Sequence, residues 1–152
     1  MTGSGLWLVG SGPMASAYAS VLDDLGREFE VVGRGATSAT VFEHVSGHPV
    51  RTGGIKQALH EGPIPDFAIV AVTLDQLAET ACSLLQAGVS RILLEKPGGL
   101  GAGQVRSVSE AAGDASVVVA YTRRQYASVW AARRAIEEDG GVTSFSFEVT
   151  EW

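Results

Sequence analysis

Leu6-Trp7-Leu8-Val9-Gly10-Ser11-Gly12-Pro13-Met14-Ala15 is the stretch that decides the fold. Four apolar residues, enough for a buried strand, run into two glycines, and Pro13 then stands where a first helical residue is favoured because its missing N–H would be unpaired there anyway. Gly10, Gly12 and Ala15 satisfy the pattern Gly-x-Gly-x-x-Gly/Ala between a strand and a helix. Gly10 permits a tight turn, Gly12 lets the backbone approach a pyrophosphate, and Ala15 keeps helix and strand close. A helix starting at Pro13 offers free N–H groups and positive potential, which puts Ser11, Pro13 and Met14 among the expected ligand contacts. A turn that merely reverses the chain is the bland alternative; the strand-turn-helix context favours a dinucleotide site.

Outward from this turn, apolar runs of strand length recur at residues 29–32, 67–72, 91–94 and 117–120, with weaker extended residues at 49–51. Most are continuous rather than alternating in polarity, as expected of parallel strands covered by helices on both faces. Helical periodicity falls between them, at residues 13–25, 37–45, 74–87 and 104–112. Gly26 and Gly88 are placed as C-terminal caps, and Thr73 with Gln76 resembles a capping box. The alternation predicts an α/β, Rossmann-like doubly wound parallel sheet over residues 1–122.

The remainder has a different pattern. Residues 127–138 place Val129, Ala132 and Ile136 on one helical face, Asp139-Gly140-Gly141 reads as a turn, and Phe145, Phe147 and Val149 alternate as in a strand buried on one side. Such a strand needs sheet neighbours. Residues 123–152 are therefore expected to be the connecting helix and first strand of a truncated α/β second domain.

Composition narrows the partners. The 152 residues suit one ordinary domain, and 45% hydrophobic with 18% charged residues describes a well-packed globule. Seventeen acidic against eleven basic residues give a net charge of -6, and the basic residues form no long run, which argues against nucleic acid or an anionic membrane and for a small-molecule ligand. Cys82 is the single cysteine; it reads as a small buried hydrophobe in a reducing compartment or a chain indifferent to redox state. With no leader-like or membrane-spanning apolar run, the cytoplasm is the expected address. His44, His48 and His60 read as surface residues, and no metal site is expected.

The second strand ends in Val31-Val32-Gly33-Arg34. An acid that binds the ribose of NAD would fall near Gly33, about 20 residues beyond the glycines, and none is there. Arg34 can pair with a 2′-phosphate, and Thr37 or Ser38 can add hydroxyl donors, so NADP is preferred and NAD is the alternative. A solvated loop arginine is the competing reading.

The fifth strand runs into Leu94-Glu95-Lys96-Pro97-Gly98-Gly99, at the carboxyl edge where doubly wound folds bind ligands. This segment resembles the Glu-Lys-Pro motif of the Gfo/Idh/MocA (glucose-fructose oxidoreductase / inositol dehydrogenase) family. The likeness extends through Gly10-Ser11-Gly12, Val32-Gly33-Arg34 and Tyr121-Thr122-Arg123-Arg124. The resemblance implies the N-terminal dinucleotide-binding domain of an oxidoreductase that moves a hydride between NAD(P) and a sugar, polyol or related CH-OH substrate. It implies Lys96 as the catalytic lysine, Glu95 as the residue that positions Lys96 or meets the nicotinamide ribose, and Thr73 and Leu74 as a loop near the cofactor. Tyr121, Arg123 and Arg124 are the implied substrate contacts; Thr122 stands where the family's Tyr-Asn-Arg-Arg segment has Asn. The parent enzyme is implied to be a homo-oligomer associating through its second domain, a contact a cofactor domain alone would not make. By chemistry, an ammonium beside a carbonyl can polarise it and donate a proton as hydride arrives, and a neighbouring nicotinamide cation would lower the lysine pKa for the reverse step.

Two other readings compete. A stand-alone NADP(H)-binding sensor or partner module would use the same glycine turn without chemistry. An S-adenosylmethionine-dependent methyltransferase also has a glycine turn after its first strand, but Arg34 and Glu95-Lys96-Pro97 speak against it.

Overall fold

The computed structural model describes residues 5–148, and the chain divides between Ala120 and Tyr121 into two compact units. In the first, strands and helices alternate as β1 (Leu6–Val9), α1 (Pro13–Asp24), β2 (Glu30–Val32), α2 (Ala36–Ser46), β3 (Val50–Arg51), α3 (Gly54–Glu61), β4 (Phe67–Val70), α4 (Leu77–Gln86), β5 (Arg91–Leu94), α5 (Ala102–Ala112) and β6 (Ser116–Val119). All six strands are parallel, in the order β3-β2-β1-β4-β5-β6. The direction of building reverses between β1 and β4, which is where the carboxyl ends of doubly wound sheets open a crevice.

The continuous apolar runs follow from burial on two faces. Trp7, Val9, Val32, Ala68, Val70, Ile92 and Leu94 join Leu77, Ala81 and Leu84 of α4 and Val108 of α5 in one core. The intervening Leu8, Val31 and Ile69 join Ala15, Ala19 and Leu22 of α1 and Phe42 of α2 in another. Successive side chains of a strand point to opposite faces, so a strand sandwiched between helices is apolar at every position. At the edge, β6 loses this symmetry, and Val118 is 56% exposed.

Several local expectations are met and others corrected. Gly26 (φ 61°) and Gly88 (φ 99°) follow α1 and α4 as caps. The capping box does not form: α4 is entered through a 3-10 turn (Leu74–Gln76), Thr73 makes no side-chain cap bond, and its backbone carbonyl accepts from Gln76 N–H at 2.8 Å instead. Helix α3 lies outside the expected helices, although Ile55, Ala58 and Leu59 have helical spacing and join the first core; eight residues that start on the second of two glycines give a weak signal. His44 and His60 are exposed, whereas His48 is half-buried, with its ring 4.5 Å from that of Phe29 and Nε2 2.9 Å from Asp23 Oδ1. Cys82 packs against the first core, where burial pushes its thiol pKa up.

The second unit holds a 3-10 turn (Thr122–Gln125) and α6 (Ala127–Glu138), closed by Gly140 and Gly141, both of positive φ. Val129 is half-buried, while Ala132 and Ile136 of the same face are exposed. Residues 142–148 form no ladder, and Phe145 and Phe147 are 80% and 79% exposed. The expected alternation is thus not realised as a paired strand, because among the described residues nothing pairs with it; Val149 lies outside them. No helix among the described residues is long and apolar enough to cross a membrane.

One contact at the switch point tolerates no side chain. Gly10 has φ 125°, and a Cβ on it would collide with the carbonyl oxygen of Ala71. Gly10→Ala is expected to lower the unfolding free energy by about 3 kcal/mol or more, combining backbone strain with overpacking. Urea denaturation measures this; a loss below about 1 kcal/mol would mean that the two backbones part easily.

Candidate functional site

Three strand ends build the site. At β1, Gly10 N–H donates to the Val32 carbonyl at 2.8 Å, which ties the glycine turn to the end of β2. Gly12 is the N-cap of α1, with extended backbone, no capping side chain and no acid in the first turn. Ser16 N–H donates to the Gly12 carbonyl at 3.0 Å, so the preceding amides of Met14 and Ala15 have no intrahelical partner. A Cβ on Gly12 would meet nothing within 4 Å: bare backbone faces open space there. Ala15 is fully buried in the core cluster that contains Leu8 of β1, as close helix-strand packing demands.

At β2, Gly33 permits a second close approach, since a Cβ there would lie 2.7 Å from Val50 Cγ1 and 3.1 Å from Ser11 Oγ. Ser11 Oγ donates to Ser38 Oγ at 2.9 Å, and Ser38 Oγ to the Gly35 carbonyl at 3.1 Å. A cleft of about 510 Å³ results, lined by Gly10 to Met14, Arg34, Gly35, Ser38 and Ala71 to Thr73. Arg34 also lines a neighbouring cleft of about 260 Å³, with Val9, Val32 and Ile55 among its apolar walls and Lys56 and Glu79 among its polar residues. Thr37 and Leu74 line neither cleft. Both are exposed. The Thr73 and Gln76 side chains hydrogen-bond Asp75 and hold its carboxyl below its usual pKa.

At β5, Glu95 is only 8% exposed, a costly place for a carboxylate unless its oxygens are bonded. Both are: Oε1 accepts from the Tyr18 hydroxyl at 2.6 Å and Oε2 from Lys96 N–H at 3.2 Å. The second of these bonds ties the carboxylate to the Lys96 backbone. The Lys96-Pro97 peptide is cis, and Lys96 itself is exposed. Neither residue lines the two clefts, but Leu94, immediately before Glu95, is in register with Val70 of β4, whose continuation, Ala71 to Thr73, does. Tyr121, Arg123 and Arg124 are exposed in the second unit, at its 3-10 turn.

Sequence reading missed Tyr18, Lys56 and Glu79. Tyr18 sits three residues after Ala15 on the inner face of α1, and a phenol on an apolar face with a polar tip to satisfy is its only sequence signal. Burial, then the hydrogen bond and charge of Glu95, push its pKa well above the usual tyrosine range.

The fold and the open glycine turn together define a Rossmann-type domain of the dinucleotide-binding class. Solved structures that share the fold are Gfo/Idh/MocA-type dehydrogenases. The WlbA dehydrogenase from Bordetella pertussis, in complex with NADH and UDP-GlcNAcA, superposes with a TM-score of 0.77 at 21% identity over 89% of this chain and 42% of that one. Myo-inositol 2-dehydrogenase from Lactobacillus plantarum gives 0.74 at 15% identity, over 89% and 41%. Biliverdin reductase from Synechocystis sp. PCC 6803, in complex with biliverdin and NADP+, gives 0.68 at 23% identity, over 88% and 43%. The chain thus spans well under half the length of these proteins. No protein-family model and no curated protein matches it.

Removing the Tyr18 hydroxyl strands one buried carboxylate oxygen. Tyr18→Phe is expected to cost about 1–3 kcal/mol in urea unfolding. Because the folded-state pKa is raised, this contribution is complete below the unfolded value of 10.0 and is lost as pH rises beyond it, so parent and variant should converge in stability above pH 10.0. A constant difference across that range would refute the Tyr18-Glu95 bond.

Proposed function

We propose that the chain is the cofactor-binding domain of an oxidoreductase that transfers a hydride between NADP(H), with NAD(H) the alternative, and a sugar, polyol or related hydroxyl or carbonyl carbon. The observation that carries this reading is the uncapped N-terminus of α1 beside Gly12, opening at the sheet's switch point into a cleft shared with Arg34. In this reading residues 1–122 hold the cofactor, residues 123–152 open a substrate domain, and Tyr121, Arg123 and Arg124 around that boundary meet the substrate.

Each residue's part follows from its chemistry. The Met14 and Ala15 amides and the helix dipole receive a pyrophosphate. Arg34, with Ser38 beside it, receives a 2′-phosphate. Thr73, with Ala71 and Val72, lines the same cleft as Arg34. The bound cofactor supplies or accepts the hydride. Lys96 holds a proton at the substrate oxygen, donating it as a carbonyl is reduced and withdrawing it as a hydroxyl is oxidised. Glu95 fixes the backbone of Lys96 and is itself held by Tyr18. Neighbours of this fold carry NADH with a sugar nucleotide in one case and NADP+ with biliverdin in another, which supports the cofactor class more than the substrate class.

Two measurements test the reading. NADPH is expected to bind more tightly than NADH, and Arg34→Ala to narrow the gap by about 1.5–3 kcal/mol, followed by quenching of tryptophan fluorescence; equal affinities in the parent chain refute the NADP assignment. In the enzyme that contains this domain, Lys96→Ala is expected to lower turnover by about 10²–10⁴-fold with little change in NADPH affinity; an unchanged rate rejects Lys96.

A further inference from the structure

The smaller cleft holds an ion pair that the proposed function leaves unused. Arg34 lines it from the loop after β2 and Lys56 from the first turn of α3, and the two segments are bonded together, Gly54 N–H to the Gly33 carbonyl at 2.9 Å and Gly53 N–H to the Arg34 carbonyl at 3.4 Å. Gly53 and Gly54 hold positive φ, 98° and 80°, a backbone conformation glycine adopts readily. Lys56 Nζ meets Glu79 Oε1 at 3.0 Å, with the two side chains 78% and 59% exposed. An ion pair this solvated holds its lysine weakly, and a phosphate is a stronger, multiply charged acceptor for the same ammonium.

We infer that Lys56 is a second cation for the 2′-phosphate of the adenosine, joining Arg34 when it leaves Glu79, so that the Lys56-Glu79 pair sets the preference between 2′-phosphorylated and 2′-hydroxyl nucleotides. This rests on reading the two clefts as the dinucleotide site. Glu79 opposes the phosphate twice: it competes for Lys56, and its own charge repels the newcomer. With a 2′-hydroxyl nucleotide nothing displaces the pair, and neither residue affects binding.

The test is titration calorimetry of the protein with adenosine 2′,5′-bisphosphate and adenosine 5′-monophosphate, which differ only in the group at issue. Lys56→Met is expected to weaken the bisphosphate about tenfold or more, on the scale of one charged hydrogen bond, and to leave the monophosphate within about twofold. Glu79→Gln is expected to tighten the bisphosphate several-fold, a gain that misfolding cannot produce. If Arg34→Met weakens the bisphosphate and Lys56→Met does not, the inference about Lys56 falls and the dinucleotide reading stands. Equal loss of both nucleotides in Lys56→Met also overturns it. If the parent binds the bisphosphate no better than the monophosphate, the NADP reading falls, and this inference with it.

Discussion

The contact between the Gly10 backbone and the Ala71 carbonyl is the constraint on which the rest depends. It joins the ends of β1 and β4, the two strands between which the sheet changes direction. Because no side chain intervenes, the chain can leave β1, turn at once and start α1 with its N-terminus over the sheet edge. The parallel ladder, the packing of Ala15 on the strands and the open space at Gly12 all presuppose that approach. A doubly wound sheet places its ligand crevice where its strands diverge, and here the turn lies at the same point.

A second constraint links the two halves of the proposed site. Tyr18 belongs to the helix whose N-terminus faces the cleft, and Glu95 to the strand end that carries Lys96; their 2.6 Å bond joins elements 77 residues apart. A buried carboxylate is expensive without partners, so once Glu95 is folded inward its geometry is dictated by the Tyr18 hydroxyl and the Lys96 amide. The charge is confined to a place where it meets backbone, and Lys96 itself is left exposed. The smaller cleft near Arg34 is built differently: its Lys56-Glu79 pair is exposed, and solvent screens it.

Much of this was legible in the residues. Continuous apolar runs at β1, β4 and β5 announced strands buried on both faces, and Gly10, Gly12 and Ala15 announced the turn, because both signals are local and depend on residue type alone. The signal failed where local chemistry had a competitor. Thr73 has the residue type of a cap, but a 3-10 entry to α4 let its backbone do the work and left its hydroxyl to Asp75. Phe145 and Phe147 alternate like a strand, yet alternation expresses only the readiness to bury a face, and residues 142–148 have no ladder among the described residues.

The sequence by itself determined the α/β class and the position of the glycine turn, and it singled out Arg34 and Lys96 by residue type and by their place at strand ends. Only the tertiary structure decided that Tyr18 holds Glu95, that α3 brings Lys56 to the cleft containing Arg34, and that Glu79 meets it there. The physical reason is range: propensity, period and turn chemistry act over a few residues, whereas these contacts exist because a parallel sheet brings distant strand ends and their loops to one edge.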